Sequence, residues 1–204
     1  GFITRNELRL LLEMSTSSSN TDDDNFDTER VARITRFSET TVGEVMVPLD
    51  EVLGISDNQA AEVLARHVGL KVANDPSFRG GATAVQQVLA GAGVNTTGNV
   101  TFDGSGLSRA NRLTADSLAQ TLRLATAPGQ PGLRASATGL PVAGFTGSLQ
   151  WRFGAGPSDA LGRVRAKTGT LTGVHGLAGL VTTSDNAQMI FVLVADRVAP
   201  DKGG

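Results

Sequence analysis

The C-terminal part of the chain places the strongest constraint on the fold. Short stretches in which apolar residues recur with a period of about two cover Arg163–Thr170, Val174–Thr183 and Gln188–Val198. They are separated by Gly173 and by the run Ser184-Asp185-Asn186, residue types that are typical of tight turns. This spacing predicts an antiparallel meander of three strands.

Amphipathic helices are predicted upstream of the meander. Three segments have apolar residues at helical spacing: Ala60, Ala61, Val63, Leu64 and Val68 after Ser56-Asp57-Asn58; Ala84, Val85, Val88 and Leu89; and Leu118, Leu122 and Ala125 after the capping residue Thr114. The first helix is expected to end at Gly69, and a tight turn is expected at Asp103–Gly106. Helices followed by a meander predict an α+β fold, with helices packed on an antiparallel sheet.

The first fifty residues differ in character from the rest. All seven glutamates lie within the first 62 residues, which suggests two origins for the chain. A short amphipathic helix is predicted near residues 4–12, followed by a polar linker at 15–24. A second helix is expected from Asp27 or Thr28, and a third element ends at Pro48. We therefore predict a helical, partly disordered segment at 1–50 and a separate domain at 51–204, joined between Pro48 and Ser56.

Composition excludes several classes of function. The chain has no cysteine and only two histidines, His67 and His175, so no thiol nucleophile is available and no zinc-type ligand cluster is expected. A net charge of −2 disfavours nucleic acid as a partner. The longest apolar run, Met189–Ala195, is far shorter than the ~20 residues of a membrane span, and no signal peptide is recognised. Both histidines are expected in packing or surface positions, and Trp151 in the core.

Two short motifs carry the chemistry. Ser56-Asp57-Asn58 begins a predicted helix, and Lys167-Thr168-Gly169 lies on a predicted strand. A lone Ser-Asp-Asn is usually a helix cap or a turn, and a second copy at 184–186 is interpreted as a turn. In this order and on these elements, however, the two motifs resemble the second and third motifs of the serine penicillin-recognising enzymes, whose first motif is Ser-x-x-Lys.

The resemblance implies a role for each motif residue. Acyl transfer from a D-alanyl-D-alanine peptide needs a proton relay, a hydrogen bond to the substrate amide, a cation for the terminal carboxylate and donors for the oxyanion. By resemblance, the catalytic residues are Ser56 as relay, Asn58 as amide ligand and Lys167 as cation. The implied substrate-binding residues are Lys167, Thr168 for its hydroxyl, Gly169 for close approach of a substrate strand, and Thr170 for its backbone N–H.

Further segments are similar to one branch of these enzymes. They are 56–62, 103–109, 140–144 with 147–150, 164–171 and 177–179. In this order they resemble the class C low-molecular-mass penicillin-binding proteins, D-alanyl-D-alanine carboxypeptidase/endopeptidases of peptidase family S13. The resemblance covers roughly residues 51–198 and implies part of a transpeptidase-like fold. It also implies a peptidoglycan peptide or β-lactam as partner, no cofactor, no metal, and a location outside the cytoplasmic membrane.

The chain also departs from that pattern. No Ser-x-x-Lys occurs, since Val68, Val164 and Ala199 precede the three lysines by three positions. A non-catalytic remnant or fusion fragment is therefore a second interpretation. A class A β-lactamase is rejected because no glutamate follows Glu62. Residues 3–9 and 37–48 resemble the segment before the CBS pair of CorC-type transporters, which makes an ion-transport regulatory segment a remote third interpretation. The oligomeric state is left open.

Overall fold

The computed structural model describes residues 49–153 and 158–199. The chain divides into two units, 1–46 and 47–204, and every described residue belongs to the second. The predicted helices near 4–12 and after 27, the linker at 15–24 and the element ending at Pro48 lie outside the described residues. The assignment of residues 1–50 to a separate domain stays a prediction.

Five α-helices precede a three-stranded sheet in the described part of the chain. The helices are α1 (Leu49–Ile55), α2 (Asn58–Ala73), α3 (Phe78–Gly91), α4 (Ala115–Thr126) and α5 (Arg134–Thr138). The strands are β1 (Val164–Leu171), β2 (Val174–Thr182) and β3 (Gln188–Asp196). Short 3-10 helices cover Pro131–Leu133, Gly147–Leu149 and Ser158–Ala160. The predicted α+β architecture is confirmed.

The sheet is the predicted meander, in the order β1-β2-β3 with both pairs antiparallel. Its turns fall at the expected residues: Gly173 has φ 79° and Asn186 has φ 63°, left-handed conformations that Gly and Asn tolerate best. The second Ser-Asp-Asn is therefore a turn. Lys167 lies opposite Ala178, and Ala178 lies opposite Val192.

Side-chain caps fix the beginnings of three helices. Asp57 accepts a hydrogen bond from the Ala60 N–H at 2.9 Å, and Ser77 accepts one from the Gly80 N–H at 2.9 Å. Thr114, predicted as a cap, accepts the Ser117 N–H at 3.1 Å. Each cap satisfies one of the N–H groups that a helix start leaves without a partner.

Two predictions for α2 are wrong: that it ends at Gly69, and that Val63 and Leu64 lie on its buried face; Ala60, Ala61 and Val68 are partly buried. The helix continues past Gly69 to Ala73 and ends at Asn74, which has φ 53°. Val63 and Leu64 are about half exposed, whereas the buried positions are Glu62, Ala65 and Gly69. Ala65 and Gly69 are small because α3 approaches closely: a Cβ on Gly69 would be 2.7 Å from the backbone nitrogen of Gly81. The helix α2 therefore packs on α3 through backbone contacts rather than through the expected apolar side chains.

Apolar residues pack on both faces of the sheet. On one face the buried cluster consists of Ala143, Leu149, Val164 and Ala166. On the other, Leu180 packs with Ala125 of α4 and Ala137 of α5. The expectation that Trp151 belongs to the core is wrong, because its side chain is 84% exposed. The fully buried residue in this segment is Leu149, two positions earlier, at the end of a 3-10 turn that lies against β1.

Candidate active site

Ser56 lies in the sharp connection between α1 and α2. Its φ of 60° is left-handed, a conformation that costs free energy for a residue with a side chain. Two neighbouring hydrogen bonds hold it: the Asp57 N–H donates to the Val52 carbonyl at 3.0 Å, and the Asp57 carboxylate caps α2. Asp57 therefore serves as the helix cap, so that Ser56 stands outside the helix.

Lys167 reaches Ser56 from the sheet. Its Nζ donates to the Ser56 Oγ at 2.7 Å and to the Thr168 carbonyl at 3.0 Å. Partial burial lowers the pKa of the Lys167 ammonium below its ordinary value of 10.5, because loss of water disfavours the charged form. The geometry thus joins two predicted site residues that are 111 positions apart in the sequence.

The outer edge of β1 is open beside this pair. The 141–143 segment covers only its beginning: the Ala143 N–H donates to Val164, and the Ala166 N–H donates to the Pro141 carbonyl. Backbone groups of a strand alternate in direction, so the N–H of Thr170 points to the same side as that of Ala166. No described strand pairs with β1 on that side. A Cβ on Gly169 would meet nothing within 4 Å, so no described residue packs on the face of the strand at this position.

Ser148 is a site neighbour to which the sequence assigned no role. The Thr168 Oγ1 hydrogen-bonds with the Ser148 Oγ at 3.1 Å. Ser148 sits in the 3-10 turn whose Gly147 has φ 55° and packs on α1, where a Cβ would be 2.5 Å from the Gly54 carbonyl oxygen. The only sequence signal was the Gly147–Gln150 stretch itself. This turn links the helix before Ser56 to the strand that bears Lys167.

Asn58 is the first residue of α2 and its side chain is exposed. No hydrogen bond of its side chain to another described residue is found. The structure therefore brings together Ser56, Lys167, Thr168 and Ser148, and leaves the Asn58 amide directed to no described partner.

A glycine-rich loop, 103–111, lies beside α2. Burial favours a raised pKa for the Asp103 carboxyl, but hydrogen bonds from Asn111, Ser108 and Gly106 outweigh it and hold this pKa below its usual value. The predicted tight turn at Asp103–Gly106 is present, and Gly106 has φ 81°. Glu62 of α2 accepts two backbone N–H groups of this loop, an anchor that the sequence analysis did not predict.

The arrangement is suited to proton transfer and anion binding. A partly buried lysine shares a hydrogen bond with a serine hydroxyl, next to an open strand edge with N–H donors. In the described residues, no group of three or more His, Asp or Glu is placed to hold a metal ion. No helix in the described ranges is long and apolar enough to cross a membrane.

Comparisons with known proteins match most of the described residues. The model of the D-Ala-D-Ala carboxypeptidase 3 (S13) family matches residues 43–203. Carboxypeptidase DacB of Mycolicibacterium smegmatis is 40% identical over 169 residues, 79% of this chain and 36% of that protein. The D-alanyl-D-alanine carboxypeptidase of Actinomadura sp. is 38% identical over 145 residues, 69% of this chain and 26% of that protein.

A solved structure shows the same architecture. Penicillin binding protein 4 (dacB) from Haemophilus influenzae, solved in complex with a β-lactam, has a TM-score of 0.68 and 30% identity. The match covers 76% of this chain and 36% of that one. The chain thus spans about a third of the length of the relatives it matches.

Proposed function

The chain belongs to the D-Ala-D-Ala carboxypeptidase 3 (S13) family, and from this membership we propose that it forms the part of a serine D-alanyl-D-alanine carboxypeptidase/endopeptidase that binds substrate and relays protons. The expected class C penicillin-binding family and partial transpeptidase-like fold are confirmed. The proposed substrate is a peptidoglycan stem peptide, and β-lactams are proposed as inhibitors. We place the protein on the outer side of the cytoplasmic membrane, where peptidoglycan lies. The CorC-type resemblance of the first fifty residues stays a prediction.

The observation that carries the proposal is the 2.7 Å hydrogen bond from the Lys167 Nζ to the Ser56 Oγ. In the proposed reaction, a serine hydroxyl of the first motif attacks the carbonyl carbon of the penultimate D-alanine, and the bond to the terminal D-alanine nitrogen breaks. The lysine of that first motif takes the hydroxyl proton, Ser56 relays a proton to the leaving amine, and Lys167 attracts the terminal carboxylate. Water then hydrolyses the acyl-enzyme. The attacking serine is not among these 204 residues, which contain no Ser-x-x-Lys.

The open edge of β1 supports the remaining roles. A substrate strand beside Gly169 would meet the Thr170 N–H, the proposed half of the oxyanion hole, and the Thr168 hydroxyl. Asn58 is proposed to hold the substrate amide, which fits an exposed side chain at the start of α2. Ser148 would orient the Thr168 hydroxyl.

The experiment is a segment exchange. Residues 43–203 replace the matching segment of the M. smegmatis carboxypeptidase DacB, so that the hybrid regains the sequence outside the match. Acylation by benzylpenicillin is followed by intact-mass spectrometry, and D-alanine release from a D-alanyl-D-alanine peptide is measured alongside. We expect a covalent adduct and hydrolysis. A folded hybrid that does neither would refute the proposed function and favour the second interpretation, a non-catalytic remnant.

Two variants test whether Lys167 takes part in the reaction. Lys167→Ala in the hybrid should lower kcat/KM about 100-fold or more, because losing one partner of a desolvated charge pair costs about 2–5 kcal/mol. Lys71→Ala is the matched control, since Lys71 is an exposed lysine in the last turn of α2 and should leave kcat/KM unchanged. Equal rates for the two variants would remove Lys167 from the site.

A further inference from the structure

Glu62 is a buried carboxylate on α2 that the proposed chemistry does not use. Its side chain is only 8% exposed, and its Oε2 accepts hydrogen bonds from the backbone N–H groups of Gly104 at 2.8 Å and Ser105 at 3.1 Å. Its Oε1 is buried and has no hydrogen-bond partner among the described residues. Glutamate is rarely so deeply buried, and an unpaired buried acceptor costs stability. This carboxylate therefore calls for an explanation other than stabilisation of the fold.

The loop that Glu62 anchors is internally hydrogen-bonded and lies directly on α2. Asp103 accepts hydrogen bonds from the Gly106 and Ser108 N–H groups and from the Asn111 amide. A Cβ on Gly104 would lie 2.2 Å from the Ala65 Cβ, so only glycine allows this approach. The loop is therefore a preformed unit held to α2 by one carboxylate.

The other end of the same loop contacts the sheet. The Arg109 guanidinium donates to the Thr172 carbonyl at 3.1 Å, in the turn between β1 and β2. The strand that bears Lys167 is thus connected by two routes to α2 and to the residue just before its cap. One is the direct hydrogen bond to Ser56, and the other runs through Thr172, Arg109, the loop and Glu62.

We propose that Glu62 is a positioning residue. Its carboxylate holds the 103–111 loop at the distance from α2 at which Arg109 can reach the β1–β2 turn. It thereby fixes the spacing between the start of α2 and the open edge of β1. The structural part of this inference stands on the contacts alone, and its catalytic consequence rests on the proposed function. Removing the carboxylate leaves the Gly104 and Ser105 N–H groups without their acceptor, which itself costs stability, so the tests compare a variant that removes the acceptor with one that keeps it.

The first test is amide hydrogen exchange on the full 204-residue chain. Glu62→Leu removes the acceptor, whereas Glu62→Gln keeps one oxygen that can accept both N–H groups. We expect Glu62→Leu to lower the protection of the Gly104 and Ser105 amides about 10-fold or more, since each loses its hydrogen bond. The α3 amides should be unaffected, and Glu62→Gln should stay within about threefold of the parent chain. Glu51→Gln, at an exposed position of α1, is the control for loss of a charge.

Unchanged protection of Gly104 and Ser105 in Glu62→Leu would overturn the proposal, and so would a loss in Glu62→Gln as large as that in Glu62→Leu. If Glu62→Leu does not fold, Gly104→Ala provides the second variant, because its Cβ forces the loop away from Ala65. Gly104→Ala should then expose the Ser105 amide while α3 stays protected. Full protection of Ser105 in that variant would also overturn the anchor.

The second test uses the hybrid enzyme. Glu62→Leu should lower kcat/KM for acylation by benzylpenicillin about 10-fold, equivalent to about 1.4 kcal/mol, and Glu62→Gln should restore most of it. If Glu62 acted only through the stability of the fold, the decrease in kcat/KM would parallel the decrease in Tm in both variants. A parent hybrid that is not acylated contradicts the proposed function, while the exchange data still decide the anchor. An active hybrid with equal rates for parent and Glu62→Leu contradicts the positioning role.

Discussion

Adding one methyl group to Gly81 should separate the two helices next to the candidate site. Gly81 of α3 faces α2 so closely that a Cβ would lie 2.8 Å from the carbonyl carbon and oxygen of Ala65 and 3.0 Å from the Arg66 nitrogen. These are backbone atoms, which cannot rotate away as a side chain can. The variant Gly81→Ala must therefore move α3 away from α2.

Two opposing contributions determine the change in the free energy of unfolding of Gly81→Ala. Alanine is favoured over glycine in a helix by about 1 kcal/mol, whereas forcing an extra carbon into a packed contact costs about 1–3 kcal/mol. Gly91→Ala, at the last residue of the same helix, is the steric control, because a Cβ there would meet nothing within 4 Å. The helix end gains at most the same ~1 kcal/mol from alanine. Because the contacts at Gly81 are with backbone atoms, the steric cost lies near the upper end of its range, so Gly81→Ala should be about 1–3 kcal/mol less stable than Gly91→Ala.

Urea unfolding of the full chain, followed by far-ultraviolet circular dichroism, measures this difference. For a chain of this size, each kcal/mol also corresponds to about 2–4 °C in Tm. The m-values of the two variants should agree, because the surface exposed on unfolding is the same. If Gly81→Ala is as stable as Gly91→Ala, α2 and α3 do not approach each other closely at Gly81, which would refute this prediction.

Two further predictions concern the site. The 204-residue chain incubated with benzylpenicillin should show no covalent mass shift, because it has no Ser-x-x-Lys; a stable adduct would reveal a nucleophile elsewhere. Burial holds the pKa of Lys167 below 10.5, so at alkaline pH the unfolded chain binds more protons than the folded one. The free energy of unfolding of the parent chain should therefore rise with pH relative to that of Lys167→Met. Urea titrations between neutral pH and about 10.5 should show this rise, and a difference independent of pH would contradict the burial of Lys167.

The sheet could be predicted from the sequence because the signals for its strands and turns lie in residues that are neighbours in the chain. Gly173 and Asn186 occupy the left-handed turn positions, and the strands between them alternate as paired strands do. The packing of α2 was not predictable in the same way. Hydrophobicity points to Val63 and Leu64, but the helix packs through small residues that let two backbones meet. A periodicity analysis scores side-chain polarity and has no measure of how closely backbones can approach.

Trp151 illustrates the same limit. A large aromatic residue is expected in the core, yet the neighbouring Leu149 fills the space under β1 and Trp151 faces away. The pairing of Ser56 with Lys167 came from the resemblance of two motifs, since no local rule connects residues 111 positions apart. Ser148 and Glu62 carried no comparable signal, because their partners are the Thr168 hydroxyl and two backbone N–H groups.

The candidate site combines an unfavourable backbone conformation with the elements that maintain it. Ser56 adopts a left-handed φ that its own side chain disfavours, and it does so between a capped helix and a helix whose Gly54 lies against Gly147. Such strain persists only when surrounding contacts over-determine it. Within the described residues, those contacts come from the chain between Val52 and Lys167, and they position the Ser56–Lys167 pair. What a nucleophile-bearing segment has to add is then the Ser-x-x-Lys motif, with a serine to attack and a lysine to accept its proton, because the groups proposed to relay a proton to the leaving amine and to bind the substrate lie in this segment.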